Sequence, residues 1–230
     1  MDELIVRIGR HSDAGTLSGP ARKRAAIVRA ATDLFLRRGY ADTSTDQIAA
    51  AASVSKQTLY NQFGDKQRLF TEIILGVTAT AERFAAELPA EAVGLRTAEE
   101  LEPGLRALAR RYLASVINPQ VLALRRLMIG EAHRFPELAA TYYERAPARV
   151  LAALADLFDR LGERRLLTVE DPRQAADHFA FLVLGSPLNR GMFHIDTDSA
   201  DSEQLAPSAD RAVAVFLAAY RADHSLASNA

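Results

Sequence analysis

Six polar side chains crowd into seven positions of this sequence: Lys56, Gln57, Thr58, Tyr60, Asn61 and Gln62, around one apolar Leu59. An ammonium, three amides and two hydroxyls are groups that contact the phosphate oxygens and base edges of duplex DNA, and they contribute little to a protein core. Over residues 43–70, TSTDQIAAAASVSKQTLYNQFGDKQRLF, two short helical patterns stand a few residues apart, the second carrying this polar set. Two short helices joined by a tight turn can present one of them to the major groove. The stretch reads as a device for recognising DNA.

The elements that must hold this set lie around it. From Ala21 onward, Ile27, Ala30, Ala31, Leu34 and Phe35 follow the spacing of one helix face. Arg37-Arg38-Gly39 is a C-terminal signal, since cations meet the negative helix end and glycine accepts a left-handed cap. Ser44 and Gln47 have capping-box spacing for a second helix carrying Ile48, Ala49 and Ala52. Ser55 caps a third helix running to about Phe63, with Leu59 and Phe63 as its buried side. Gly64-Asp65 ends it and opens a long fourth helix, whose stripe of Leu69, Ile73, Val77 and Phe84 reaches about Leu88.

Charge is distributed to match. Residues 20–70 hold nine Lys/Arg against four Asp/Glu, whereas residues 71–230 hold seventeen against twenty-two. A basic segment on a mildly acidic body suits local attraction to a polyanion. The abundance of Ala, Leu and Arg favours helices. Zero cysteines exclude disulfides, cysteine-ligated zinc and thiol catalysis. No apolar run approaches a membrane span and the start MDELIVRIGR lacks a signal-peptide pattern, so a cytoplasmic location is expected, with no membrane partner.

Residues 1–19, with Gly9, Gly15, Ser18 and Gly19, read as a flexible arm, and Arg7, Arg10 and Arg22-Lys23-Arg24 can approach a DNA backbone or minor groove. Residues 89–97 read as a linker. Helical patterns then recur at about 98–117, 119–134 and 137–164, the last bent or broken at Pro147. Asp171-Pro172 starts a helix reaching about 193, which Gly185-Ser186-Pro187 should kink or interrupt. Residues 196–207 read as a loop before a final helix with Val213, Phe216, Leu217 and Tyr220. Glu131 and His178 stand at unrelated positions, so no metal is expected. No paired carboxylate or Ser-His-Asp set stands out either; no cofactor, reaction or enzyme is expected.

This order of elements resembles the TetR family of bacterial transcription regulators, most densely over AAIVRAATDLFLRRGY and residues 43–70. One departure is Ser53, where the family's turn usually carries glycine; a left-handed conformation there costs serine something. LRRLMIGEAHRFPEL at 124–138 and DPRQAADHFAFLVLG at 171–185 resemble an AefR-like C-terminal subgroup. The resemblance implies an all-α fold, with a three-helix helix-turn-helix DNA-binding domain over 20–66 and a larger helical ligand-binding and dimerisation domain over 67–230. Residues 45–52 then support and residues 56–63 recognise. Lys56, Gln57 and Asn61 are the base-reading candidates, with Thr58 and Gln62 beside them; Thr43, Ser44, Thr45, Tyr60 and Lys66 are the phosphate contacts.

For the larger domain, the resemblance implies a dimer interface on the last two helices, with Phe179, Val183, Leu184, Val213, Phe216, Leu217 and Tyr220 as candidates. It also implies a small-molecule pocket, for which Phe84, Tyr112, Met128, Glu131, Phe135, Tyr143, Phe158 and Phe181 are candidates. The implied function is a homodimeric repressor on a palindromic double-stranded operator, released by a small-molecule effector, with the long fourth helix as connector. The alternatives are a DNA-binding regulator without a small-molecule ligand, constitutive or controlled by a protein partner, and a helical enzyme.

Overall fold

Pro20, which has no N–H to leave unpaired, stands in the first turn of α1 (Gly19–Arg38), and Arg37 and Arg38 stand in its last. The computed structural model describes residues 18–195 and 202–222. The expectations for Arg7, Arg10 and most of the arm lie outside these residues, as does the 196–201 part of the expected loop. There follow α2 (Thr45–Ala51), α3 (Lys56–Phe63), α4 (Lys66–Gly94), α5 (Ala98–Val116), α6 (Pro119–Gly130), α7 (Pro136–Tyr143), α8 (Arg149–Glu163), α9 (Pro172–Met192) and α10 (Ser202–Tyr220). The fold is all-α, as the sequence led one to expect; among the described residues the extended pairing is one isolated bridge, Leu167 to Arg221.

The chain forms two compact units. One runs to Ala79 and takes in Ala123–Tyr142; the other holds Thr80–Leu122 and the chain from Tyr143 onward. In the first, Ile27, Ile48, Leu59, Leu69, Phe70 and Ile73 are fully buried. Each such side chain contributes about 1.5–3 kcal/mol over its exposed state. Gly39 ends α1 at φ 76° and ψ 176°, a combination essentially reserved for glycine. The predicted capping box at α2 is present in both directions: Ser44 Oγ accepts from the Gln47 N–H, and Gln47 Oε1 accepts from the Ser44 N–H. Ser55 caps α3 by accepting from the Thr58 N–H. Between the two helices Ser53 takes the left-handed φ of 54° that its position demands.

The second unit packs α5 on α10 and α9 on both α8 and α10. At its centre Phe158, Phe179 and Phe216 meet ring to ring, with centroids 5.0–5.3 Å apart, and Phe84 stacks on Tyr112 at 5.2 Å. Prolines interrupt less than expected. α4 continues through Pro89 to Gly94, where a linker was expected, because Leu88 and Ala92 bury their side chains and Arg164 donates to the carbonyls of Ala92 and Leu95 at the helix end. α9 runs unbroken through Pro187, and Pro207 lies inside α10 rather than at the end of a loop. Pro147 sits in a π-helical turn, Glu144–Ala148, that joins α7 to α8; the wider turn accommodates a residue with no N–H to donate.

Candidate nucleic-acid interface

Leu59 and Phe63 are buried one helical turn apart and pin α3, so that Lys56, Gln57, Tyr60 and Asn61 stay exposed on its other sides. Thr58 and Gln62 are half-buried at the margins. Arg24 adds a second fastening. Its guanidinium donates to both Glu72 oxygens at 2.5 Å and to the Gln62 carbonyl at 3.2 Å, and lies 4.3 Å from the Phe63 ring centre. The expectation that Arg24 approaches a DNA backbone is corrected: its charge is spent tying α1, α3 and α4 together.

The exposed set is internally ordered. Gln57 Nε2 donates to Asn61 Oδ1 at 2.8 Å, one turn along α3. Lys56 Nζ pairs with Asp46 Oδ1 at 2.8 Å, and this bond pushes the ammonium's pKa up. The Thr58 hydroxyl bonds Ser55 Oγ at 2.8 Å. Tyr60, 39% exposed, has its hydroxyl 3.4 Å from that of Thr45, so the start of α2 and the middle of α3 meet at one polar edge. Ser44, exposed at the head of α2, belongs to that edge.

Two predicted phosphate contacts are placed elsewhere. Thr43 is 1% exposed, and its hydroxyl donates to the Gly39 carbonyl at 2.8 Å. Lys66 Nζ donates to the carbonyls of Tyr40 and Thr43 at 2.9 and 2.8 Å and lies 4.2 Å from the Tyr40 ring centre. Burial, then the Arg134 charge, lower its pKa. Both residues build the loop before α2 rather than offer free donors on its surface.

The predicted pocket residues are divided between the two units. Met128, Glu131 and Phe135 belong to the first unit, where Phe135 packs on Tyr40 and Phe70. Phe84, Tyr112 and Phe158 are core of the second, while Tyr143 and Phe181 are 57% and 73% exposed. The predicted interface is corrected too. Phe179, Val183, Leu184, Val213, Phe216 and Leu217 are buried in the chain's own core, and the half-buried Tyr220 stacks on Phe216 and bonds His178 Nδ1 at 2.7 Å. On the same two helices Phe181 and Leu182 of α9 and Val215 of α10 are exposed apolar residues.

Sequence reasoning missed Asp46 and the role of Glu131. Asp46 meets Lys56 across two helices, beyond the reach of any within-helix spacing rule. Glu131 accepts from the Tyr40 N–H at 3.3 Å across 91 residues, which only the fold reveals. Among the described residues, no group of three or more His, Asp or Glu stands close enough to hold a metal, and no helix is long and apolar enough to cross a membrane.

Comparison with known proteins agrees with this geometry. The family described as bacterial regulatory proteins, tetR family, matches residues 27–73, and the AefR-like transcriptional repressor, C-terminal domain, matches residues 103–222. The HTH-type transcriptional regulator TcmR of Streptomyces glaucescens is 29% identical over 156 residues, 64% of this chain and 68% of its own. Among solved structures, a TetR-family transcriptional regulator from Mesorhizobium loti MAFF303099 is 38% identical, with 89% of this chain and 100% of that one covered and a TM-score of 0.72. The flavonoid-responsive regulator FrrA is 33% identical over 87% of this chain and 97% of its own, with a TM-score of 0.64.

Proposed function

The chain belongs to the TetR family of bacterial transcriptional regulators, and from that premise we propose that it works as a homodimeric repressor, gripping a palindromic operator until a small molecule releases it. The observation that carries this reading is the exposed polar face of α3, held on the buried anchors Leu59 and Phe63. In this reading the DNA-binding domain spans 20–66, the ligand-binding and dimerisation domain spans 67–230, and residues 1–19 form an arm. Lys56, Gln57 and Asn61 meet base edges, Thr58 and Gln62 flank them, and Ser44, Thr45 and Tyr60 grip phosphates. Amide side chains pair with adenine and an ammonium donates to guanine. Lys56 exchanges Asp46 for DNA, an exchange that a solvent-exposed ion pair resists only weakly.

Phe181, Leu182 and Val215 support the homodimer, since α9 and α10 pack together and leave these three apolar side chains in water. Two-fold symmetry of the pair then calls for a palindromic site. The likeness to FrrA, which is flavonoid-responsive, supports a small-molecule effector. Such an effector shifts DNA binding by no more than its difference in affinity for the two states. Selection of duplexes from a random pool by the full chain tests the reading. A palindrome with fixed half-site spacing is expected, bound with an affinity that falls steeply with salt. Enrichment of no sequence, or of single half-sites, sinks it.

A second reading, a regulator without a small-molecule ligand, is favoured by the packing of the second unit. A cavity lined by Leu113, Ile117 and Leu205 holds about 100 Å³, and the wider groove of about 540 Å³ beside Arg106, Arg110 and Arg221 is open to solvent. Small-molecule pockets usually enclose roughly 300–1,000 Å³. A compound panel that includes flavonoids separates the two readings: one that raises the melting temperature and releases DNA supports the effector, and a panel that does neither favours the second reading.

A further inference from the structure

The loop from Gly39 to Ser44 leads into the exposed start of α2, and a distant segment of sequence completes its hydrogen bonding. Every buried backbone donor needs an acceptor. Gly39 N–H finds Phe35 O at 2.8 Å, Thr43 N–H finds Tyr40 O at 3.4 Å, and Ser44 N–H finds Gln47 Oε1 at 2.9 Å. Tyr40 N–H finds Glu131 Oε1. The Tyr40 ring is enclosed by Phe35, Phe70 and Phe135, with centroids 5.7, 4.9 and 4.8 Å away. The Lys66 ammonium lies over one part of that ring and the Arg134 guanidinium lies 5.6 Å from its centre. The Glu131 side chain is 17% exposed and stands 3.7 Å from Arg134 Nε. Its charge, with that of Asp42, supports the Lys66 ammonium against burial and against Arg134.

We propose that Glu131, with Phe135 beside it, is a positioning residue for the DNA-contacting face, fixing the loop from which Ser44 and Thr45 reach phosphates. The proposal rests on the DNA-binding reading above. Removing the carboxylate leaves the Tyr40 N–H buried without an acceptor, and leaves Lys66 facing Arg134 with one anion fewer. Both ties on the loop then loosen, at Tyr40 and at Thr43. The displacement passes to Ser44 and Thr45, and through the Thr45–Tyr60 contact to the edge of α3. Lys56, Gln57 and Asn61 stay on a helix anchored by Leu59 and Phe63, so sequence preference survives while affinity falls.

The probe is the duplex that the wild-type chain enriches from a random pool. Glu131→Ala is expected to bind it about tenfold more weakly, the consequence of one unpaired buried amide, with the preferred sequence unchanged. Glu131→Gln, which keeps an oxygen for the Tyr40 N–H, recovers most of that loss. Amide hydrogen exchange at 40–43 accelerates in the alanine variant and much less in the glutamine variant. Wild-type affinity in Glu131→Ala, or an altered preferred sequence, overturns the proposal. If that variant fails to fold, Phe135→Leu decides: several-fold weaker binding with faster loop exchange supports it, and wild-type binding overturns it. A wild-type chain that enriches no duplex brings down the DNA-binding reading and this proposal together. Enrichment by wild type with undiminished binding by Glu131→Ala brings down the positioning role alone.

Discussion

The polar face of α3 and the apolar flank of α9 and α10 are both exposed, and they are built by opposite rules. On α3, two buried residues on an eight-residue helix hold amides and an ammonium in water, where nothing but a polar partner gains from them. On α9 and α10, nearly every turn carries apolar residues on more than one side, and the buried side belongs to the chain's own core. A polar side chain stays in water because solvation favours it there, and a cluster of such groups on one anchored face offers donors and acceptors to a polar partner. An apolar side chain at helical spacing has two equally good destinations, the core or a second copy, and the spacing alone does not separate them.

The largest expected effect tests that division within one pair of helices. Phe216→Ala opens a cavity among Phe158, Phe179 and Tyr220 and is expected to cost about 3–5 kcal/mol in urea unfolding. Phe181→Ala is expected to change the stability of the folded chain by no more than about 0.5 kcal/mol. Instead it weakens self-association in sedimentation velocity. The comparison breaks if the two variants behave alike.

On the polar face the expected effect is smaller and of a different kind. Gln57→Ala is expected to cost about 1–3 kcal/mol in affinity for the selected duplex and to relax the preference at one base pair, with unfolding nearly unchanged. Measured side by side, it and Phe216→Ala should move opposite observables: one the binding specificity, the other the stability. A Gln57→Ala chain that keeps full discrimination would remove Gln57 from the base-reading set.

The same contrast explains what the sequence disclosed. The caps at Ser44, Ser55 and Asp171, the anchors Leu59 and Phe63, and the all-α order depend on neighbours within a turn or two, so local spacing carried them. Thr43 and Lys66 have the right chemistry for phosphate, but their burial depends on the Gly39–Thr43 loop folding back toward the start of α4, which no local rule encodes. Glu131 and Phe135 are pocket candidates because the resemblance places a pocket in the larger domain, yet they pack with Tyr40, from the chain's first fifth. Residues 89–97, opening on Pro89, read as a linker, and Gly185-Ser186-Pro187 as a kink or interruption, since a proline removes a helix hydrogen bond. Burial of Leu88 and Ala92 beside the one, and of Val183 and Leu184 beside the other, outweighs that loss.

Ser53 offers the smallest test, because it lies between the helix that supports and the helix that reads. The Val54 N–H bonds the Ala49 carbonyl at 3.0 Å and the Ser53 N–H bonds the Ala50 carbonyl at 3.1 Å, a pair that closes α2 only when the residue at 53 is left-handed. A side chain in that conformation costs roughly 1–2 kcal/mol, part of which is returned because serine loses less backbone freedom on folding than glycine does. Ser53→Gly is therefore expected to raise stability by about 0.5–1 kcal/mol in urea unfolding. The selected DNA sequence should stay the same, since α3 keeps both anchors. Higher stability with unchanged preference places the strain in the turn alone. A changed preference would mean that the turn angle set by Ser53 aims the recognition helix, and the polar face of α3 would then depend on its scaffold as closely as the apolar flank of α9 and α10 does on its core.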